Sequence, residues 1–141
     1  MKVLFICKYN AGRSRMATAF FNKFSKKNEA VSCGVGQNPL LPSNRKGIRG
    51  TVAVMNELGI KVPHRFGRGV TRKDVANADK VIVLLDSKQR HILPKYVSAS
   101  PKTEYHAIPD SDARAADFLS QQRRNRDIVK KIVLKLVKEL G

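Results

Sequence analysis

Two stretches of this sequence contain no polar residue: Val3-Leu4-Phe5-Ile6 and Val81-Ile82-Val83-Leu84-Leu85. A strand with one wet face alternates apolar and polar side chains, whereas an unbroken apolar strand must be covered on both faces. That requirement selects a parallel sheet sandwiched between helices, because βαβ crossovers lay helices over both sides. The remaining sequence supplies the covers. Met16, Phe20 and Phe24 recur every fourth residue with Ala17 and Phe21 beside them, the stripe of an amphipathic helix. Ile48, Val52 and Met55 form a second stripe, which Gly59 is placed to close as a C-terminal cap. Thr71 followed by Asp74 has the form of a capping box and opens a short helix. Ile128, Val129, Ile132, Val133, Leu136, Val137 and Leu140 make one broad apolar face, with Lys130, Lys131, Lys135 and Lys138 mostly opposite. Less apolar segments at 30–33 and 103–108 complete the strands. The expectation is a three-layer α/β/α architecture around a central four-stranded parallel sheet, in one domain spanning residues 1–141.

Composition narrows the chemistry. Two cysteines, Cys7 and Cys33, are too few for a disulfide scaffold. His64, His91 and His106 lie far from each other and from both cysteines, so neither a structural metal nor a metal cofactor is expected. They read as surface or packing residues. No apolar run approaches a membrane span and the N-terminus lacks a signal-peptide core, so no membrane association and a cytoplasmic setting are expected. The formal charge of +17 concentrates anions near the surface without naming one. The densest basic patch is Arg123, Arg124, Arg126, Lys130 and Lys131. With no stacking aromatics or reader motif beside it, it reads as a solvated helix face rather than a nucleic-acid site.

The first apolar strand runs directly into Cys7-Lys8-Tyr9-Asn10-Ala11-Gly12-Arg13-Ser14, and a helix begins near Ser14. A free thiol titrates near about pH 8.5 and is a weak nucleophile at neutrality. Three local features favour its thiolate: the N-terminus of the helix, backbone N–H groups gathered by a loop wrapped round an anion, and the Ser14 hydroxyl. Asn10 and Gly12 tolerate the left-handed backbone that a tight cradle needs. Arg13 offers a planar fork for two oxygens of a tetrahedral oxyanion while the sulfur attacks its central atom. C-x5-R alone is a weak signal. C-x5-R-S between a buried strand and a helix is far more specific.

The pattern resembles the low-molecular-weight protein tyrosine phosphatases and the arsenate reductases that share their fold. Cys7, Asn10, Arg13, Ser14, Met16 and Ala17 match their C-x-x-N-x-x-R-S loop and Met-Ala helix start. Val31-Ser32-Cys33-Gly34, Glu57-Leu58-Gly59-Ile60, Val70 to Asp74, Ala78 to Asp86 and Ile108-Pro109-Asp110 extend the likeness along nearly the whole chain. The resemblance implies a phosphotyrosine protein phosphatase I-like fold and a two-step transfer. Cys7 becomes a phosphocysteine, Arg13 and the loop from Lys8 to Ser14 bind phosphate, and Asp110 serves as acid and then base. Asn10 holds the loop's shape with support from Ser14 and Ser32. No cofactor is implied. The partners implied are a phosphorylated protein or small aryl phosphate, a phosphate or arsenate oxyanion, and a small thiol or thiol-disulfide reductant.

This chain departs from the pattern in several places. Asp110 is followed by Ser111 and Asp112 instead of proline, which loosens the acid loop and leaves Asp112 as a rival acid. Gly12 stands where many members carry a second cysteine, and 79–93 holds none of the relay cysteines of thioredoxin-coupled arsenate reductases. Cys33 reads as a small buried residue, the alternative being a resolving thiol for Cys7. Tyr9 is placed at the pocket mouth. Phosphomonoester hydrolysis, with phosphotyrosine as the substrate implied, therefore competes with arsenate reduction by an external thiol and with a non-catalytic anion or nucleic-acid binder.

Overall fold

The computed structural model describes residues 1–36 and 41–141. In chain order the elements are β1 (Lys2–Cys7), α1 (Arg13–Phe24), β2 (Glu29–Gly34), α2 (Pro42–Asn56), α3 (Arg72–Asn77), β3 (Lys80–Leu85), a 3-10 helix (Ser87–Ile92), α4 (Lys95–Ser98), β4 (Thr103–Ala107) and α5 (Phe118–Leu140). The strands form one parallel sheet in the order β2-β1-β3-β4. The chain leaves β1 for one neighbour and later returns to its other side. Such a reversal opens a crevice at the carboxyl end of the central strands. Cys7 is the last residue of β1 and stands at that crevice.

Alternation along the strands divides the core in two. Val3, Phe5, Ile82 and Leu84 face α1 and α5, packing with Met16, Phe20, Phe21, Val129 and Val133. Leu4, Ile6, Val81, Val83 and Leu85 face the opposite way, toward Val75 of α3 and Val97 of α4. Burying each such side chain contributes about 1.5–3 kcal/mol, which is why these strands carry no polar alternation. The three-layer α/β/α expectation holds. The 3-10 helix and α4 were not anticipated, being too short to show a periodic stripe. No helix among the described residues is long and apolar enough to cross a membrane.

The local signals act as the sequence suggests. Gly59 adopts φ 71° after α2. Ile60 N donates to Met55 O at 3.1 Å and Gly59 N to Asn56 O at 2.9 Å, the paired bonds of a Schellman cap. Thr71 and Asp74 exchange the two bonds of a capping box at α3. The basic face of α5 needs correction. Arg126 is buried, donating to Val54 O at 2.9 Å, Glu57 at 2.7 Å and Asp127 at 2.9 Å. Arg123 also grips Glu57, at 2.9 and 3.0 Å. These pairs tie α5 to the end of α2, and hydrogen bonds from Arg123 and Arg126 hold the Glu57 carboxyl below its ordinary range.

Candidate active site

The loop from Cys7 to Arg13 is shaped by what holds its carbonyl groups. Cys7 O accepts from Val35 N at 3.1 Å, and Lys8 O from Val35 N and Gly36 N at 3.0 and 2.8 Å. Asn10 O accepts from Arg15 Nε. Ala11 O accepts from Thr51 Oγ1 at 2.7 Å, and Gly12 O from Met16 N at 2.9 Å. In a trans peptide the next residue's N–H points opposite to the carbonyl, and the described residues contain no cis bond. Anchoring these carbonyls therefore turns the N–H groups of Lys8, Tyr9, Ala11, Gly12 and Arg13 away from the anchors. This is how a loop becomes an anion nest.

Asn10 is the single non-glycine residue with positive φ among those described, at 54°. Its side chain fixes that turn. Nδ2 donates to Ser14 Oγ at 2.8 Å and to Ser32 Oγ at 2.9 Å, while Oδ1 accepts from Arg68 N at 3.2 Å. Ser14 Oγ lies 3.0 Å from Cys7 Sγ. Because that oxygen accepts from Asn10, its own proton is free to point at the sulfur. Gly12 differs from expectation: its φ is −131°, so it is not left-handed. The tight position is Gly34, where a Cβ would come within 2.8 Å of Lys8 O and 2.9 Å of Asn10 N. Both are backbone atoms and cannot swing aside. Gly34→Ala is expected to displace the loop and cost about 1–3 kcal/mol, read by urea denaturation.

Arg13 begins α1 and is 4% exposed. Nη1 donates to Ile108 O at 3.0 Å and Gln89 Oε1 at 3.2 Å, and Nη2 lies 3.3 Å from Asp110 Oδ1. Gln89 Nε2 donates to the other Asp110 oxygen at 2.9 Å. Cys7, Tyr9, Ala11, Gly12, Arg13, Asp110 and Asp112 line one cleft of about 230 Å³, together with Phe118 and Gln122. Asp112 turns to its own loop, accepting from Arg114 N at 2.9 Å. Polar tethers hold the loop that carries Asp110: Asn125 Nδ2 donates to Pro109 O at 2.8 Å, and Ser111 Oγ to Gln122 Oε1 at 3.1 Å. Gln122 Nε2 donates in turn to Thr51 Oγ1 at 3.1 Å. One chain of bonds thus joins Ser111, through Gln122 and Thr51, to Ala11. Gln89, Thr51, Gln122 and Arg15 escaped the sequence reading.

The other candidates are placed as follows. Lys8 lies with Nζ 4.8 Å from the Tyr9 ring centroid, and its carbonyl rather than its ammonium secures the loop. Both cysteines are free and buried. Cys33 pairs in register with Ile6 and packs in the Leu4 and Ile6 cluster. Alternation puts the Cys7 side chain on the opposite face of the sheet. Burial first, then the charge of Asp74, pushes the Cys33 thiol up to about 12. Cys33 is therefore protonated at all pH values well below that. Iodoacetamide at pH 8 is expected to label Cys7 alone in the folded protein and Cys33 only after unfolding, as mass spectrometry of the peptides would read. His64 and His91 are exposed, and His106 lies 3.9 Å from Glu104 on β4.

Comparisons place this geometry among known proteins. The model of the family described as low molecular weight phosphotyrosine protein phosphatase matches residues 2–139. No curated protein sequence matches the chain. Among solved structures, an arsenate reductase in the phosphate binding state is 26% identical, with 99% of this chain and 98% of that one covered and a TM-score of 0.78. The YwlE arginine phosphatase from Geobacillus stearothermophilus is 22% identical, with 99% and 92% covered and a TM-score of 0.77. The low molecular weight protein tyrosine phosphatase from T. tengcongensis is 23% identical, with 99% of each chain covered and a TM-score of 0.75. The match along 2–139 establishes that the chain belongs to the low molecular weight phosphotyrosine protein phosphatase family.

Proposed function

We propose that the protein is a phosphomonoesterase acting on phosphotyrosine or a related aryl phosphate. The observation that carries this reading is the convergence of Cys7, Arg13 and Asp110 on one cleft. Cys7 lies deep, at 2% exposure, and Tyr9 and Phe118 line the same cleft. A long aryl phosphate reaches the sulfur between aromatic walls more easily than a short phosphoserine. In the first step Cys7 Sγ attacks phosphorus and the P–O bond to the leaving group breaks, with a proton passing from Asp110 to the phenolate oxygen. In the second, Asp110 takes a proton from water, the oxygen attacks phosphocysteine, and inorganic phosphate and the thiolate separate. Arg13 and the loop amides stabilise charge on the equatorial oxygens in both steps.

Arsenate reduction is the second reading. It is favoured by the likeness to an arsenate reductase and by the interchangeable shapes of phosphate and arsenate. Cys33 faces away from Cys7, so the electrons would come from a thiol outside the chain. A reducing cytoplasmic setting suits either reading, since both need Cys7 as a free thiol. Purified protein assayed with an aryl phosphate, and separately with arsenate and a small thiol, decides between them. Aryl phosphate turnover without arsenate-dependent thiol oxidation supports hydrolysis, and the reverse pattern overturns it. Neither activity, with salt-sensitive nucleic-acid binding, would leave an anion binder.

A further inference from the structure

Arg15 is a buried cation to which the chemistry above gives no task. It is 4% exposed. Its guanidinium is held by backbone carbonyls alone: Nε donates to Asn10 O, Nη1 to Pro63 O at 3.0 Å, and Nη2 to Arg65 O. Among the described residues no carboxylate pairs with it. A neutral side chain could tie a loop without the cost of burying a charge. What the cation adds is its field. Burial first and Arg65 second push its pKa down to about 10, while negative charge on Cys7 acts in the opposite sense. Residues two apart on a helix face different ways. Arg13 accordingly enters the cleft while Arg15 reaches behind the loop that both flank.

We propose that Arg15 is a positioning residue for the phosphate loop. By holding the Asn10 carbonyl from behind, it aims the Ala11 N–H at the bound oxyanion, and its uncompensated charge supports negative charge at Cys7. The inference rests on the oxyanion-cradle reading of the site. Its sequence signature is an arginine directly after C-x5-R-S, with Asn10 left-handed ahead of it.

Two variants separate field from geometry. Arg15→Lys keeps the charge but cannot span three carbonyls. Arg15→Gln keeps a donor but loses the charge. The readouts on the full chain are the pH profile of Cys7 alkylation by iodoacetamide, protection of Cys7 by inorganic phosphate, and KM against kcat for an aryl phosphate. Arg15→Lys is expected to keep the alkylation profile but to need about tenfold more phosphate for protection, one charge-assisted bond's worth. Arg15→Gln is expected to lose phosphate affinity similarly, move the alkylation profile to higher pH, and raise KM more than it lowers kcat. A lower melting temperature with unchanged profile and protection would make Arg15 a structural tie and overturn the proposal. If Arg15→Gln does not fold, Arg15→Lys decides alone, and wild-type phosphate protection in it overturns the proposal. Absence of phosphate protection in the unmodified protein would overturn the cradle reading itself, and this inference with it.

Discussion

Cys7→Ser is expected to lower aryl phosphate hydrolysis by about four orders of magnitude or more while leaving phosphate binding intact. The reasoning begins with what serine keeps. The side chain sits in a buried position at the end of β1, where a hydroxyl is smaller than a thiol and still reaches Ser14 Oγ, now 3.0 Å from the sulfur. The carbonyl anchors that orient the loop amides come from Val35, Gly36, Arg15, Thr51 and Met16, none of which touches the sulfur through those bonds. The cradle therefore survives. What disappears is the sulfur nucleophile, for which a hydroxyl in the same place is a poor substitute. Phosphate binding measured calorimetrically and turnover measured by phenolate release check the two halves. Retained turnover would remove Cys7 from the chemistry, and lost phosphate binding would mean that the sulfur shapes the loop.

The parts of this molecule that were legible in the sequence are those in which one short segment suffers one physical constraint. β1 and β3 read as strands because burial on both faces removes every polar residue from Val3–Ile6 and Val81–Leu85. Gly59 and the Thr71 and Asp74 pair read as caps because capping is local. The segment from Cys7 to Ser14 was legible as a motif because its spacing is local, although the bonds that hold its carbonyls come from Val35, Gly36 and Thr51, which the motif does not show. Gln89, Thr51, Gln122 and Arg15 were not, because their meaning lies in partners remote along the chain. Gln122 meets Thr51 across 71 positions and Arg13 meets Gln89 across 76. One signal was available. The buried stripe of α5 through Val133 and Val129, continued backward at helical spacing, reaches Arg126, Asn125 and Gln122. Polar residues at core positions of a periodic face must meet polar partners, so that end of α5 had to abut something other than apolar core. Gln89 carried no comparable mark, since it lies in a 3-10 helix with no buried residue.

Asp110→Asn is expected to lower kcat by about a hundredfold to a thousandfold, with a loss that depends on the leaving group. A general acid matters most when the departing oxygen is basic. The deficit should be large for phenyl phosphate and shrink for a nitrophenyl ester, whose phenolate departs without help. The same substitution acts on binding in the opposite direction. Asp110 lies 3.3 Å from Arg13 and shares Gln89 with it. In its ionised form the carboxylate both occupies the guanidinium and repels an incoming dianion, whereas the form that serves as the acid carries the proton it donates. A neutral amide there frees Arg13, so phosphate should inhibit Asp110→Asn at lower concentration than it inhibits the parent protein. Asp112→Asn is the control. That carboxylate caps its own turn at Arg114 N, so its removal should change kcat far less and show no leaving-group trend. If Asp112→Asn carries the leaving-group dependence and Asp110→Asn does not, the acid is the second aspartate, and the contact between Arg13 and Asp110 serves to gate the cleft instead.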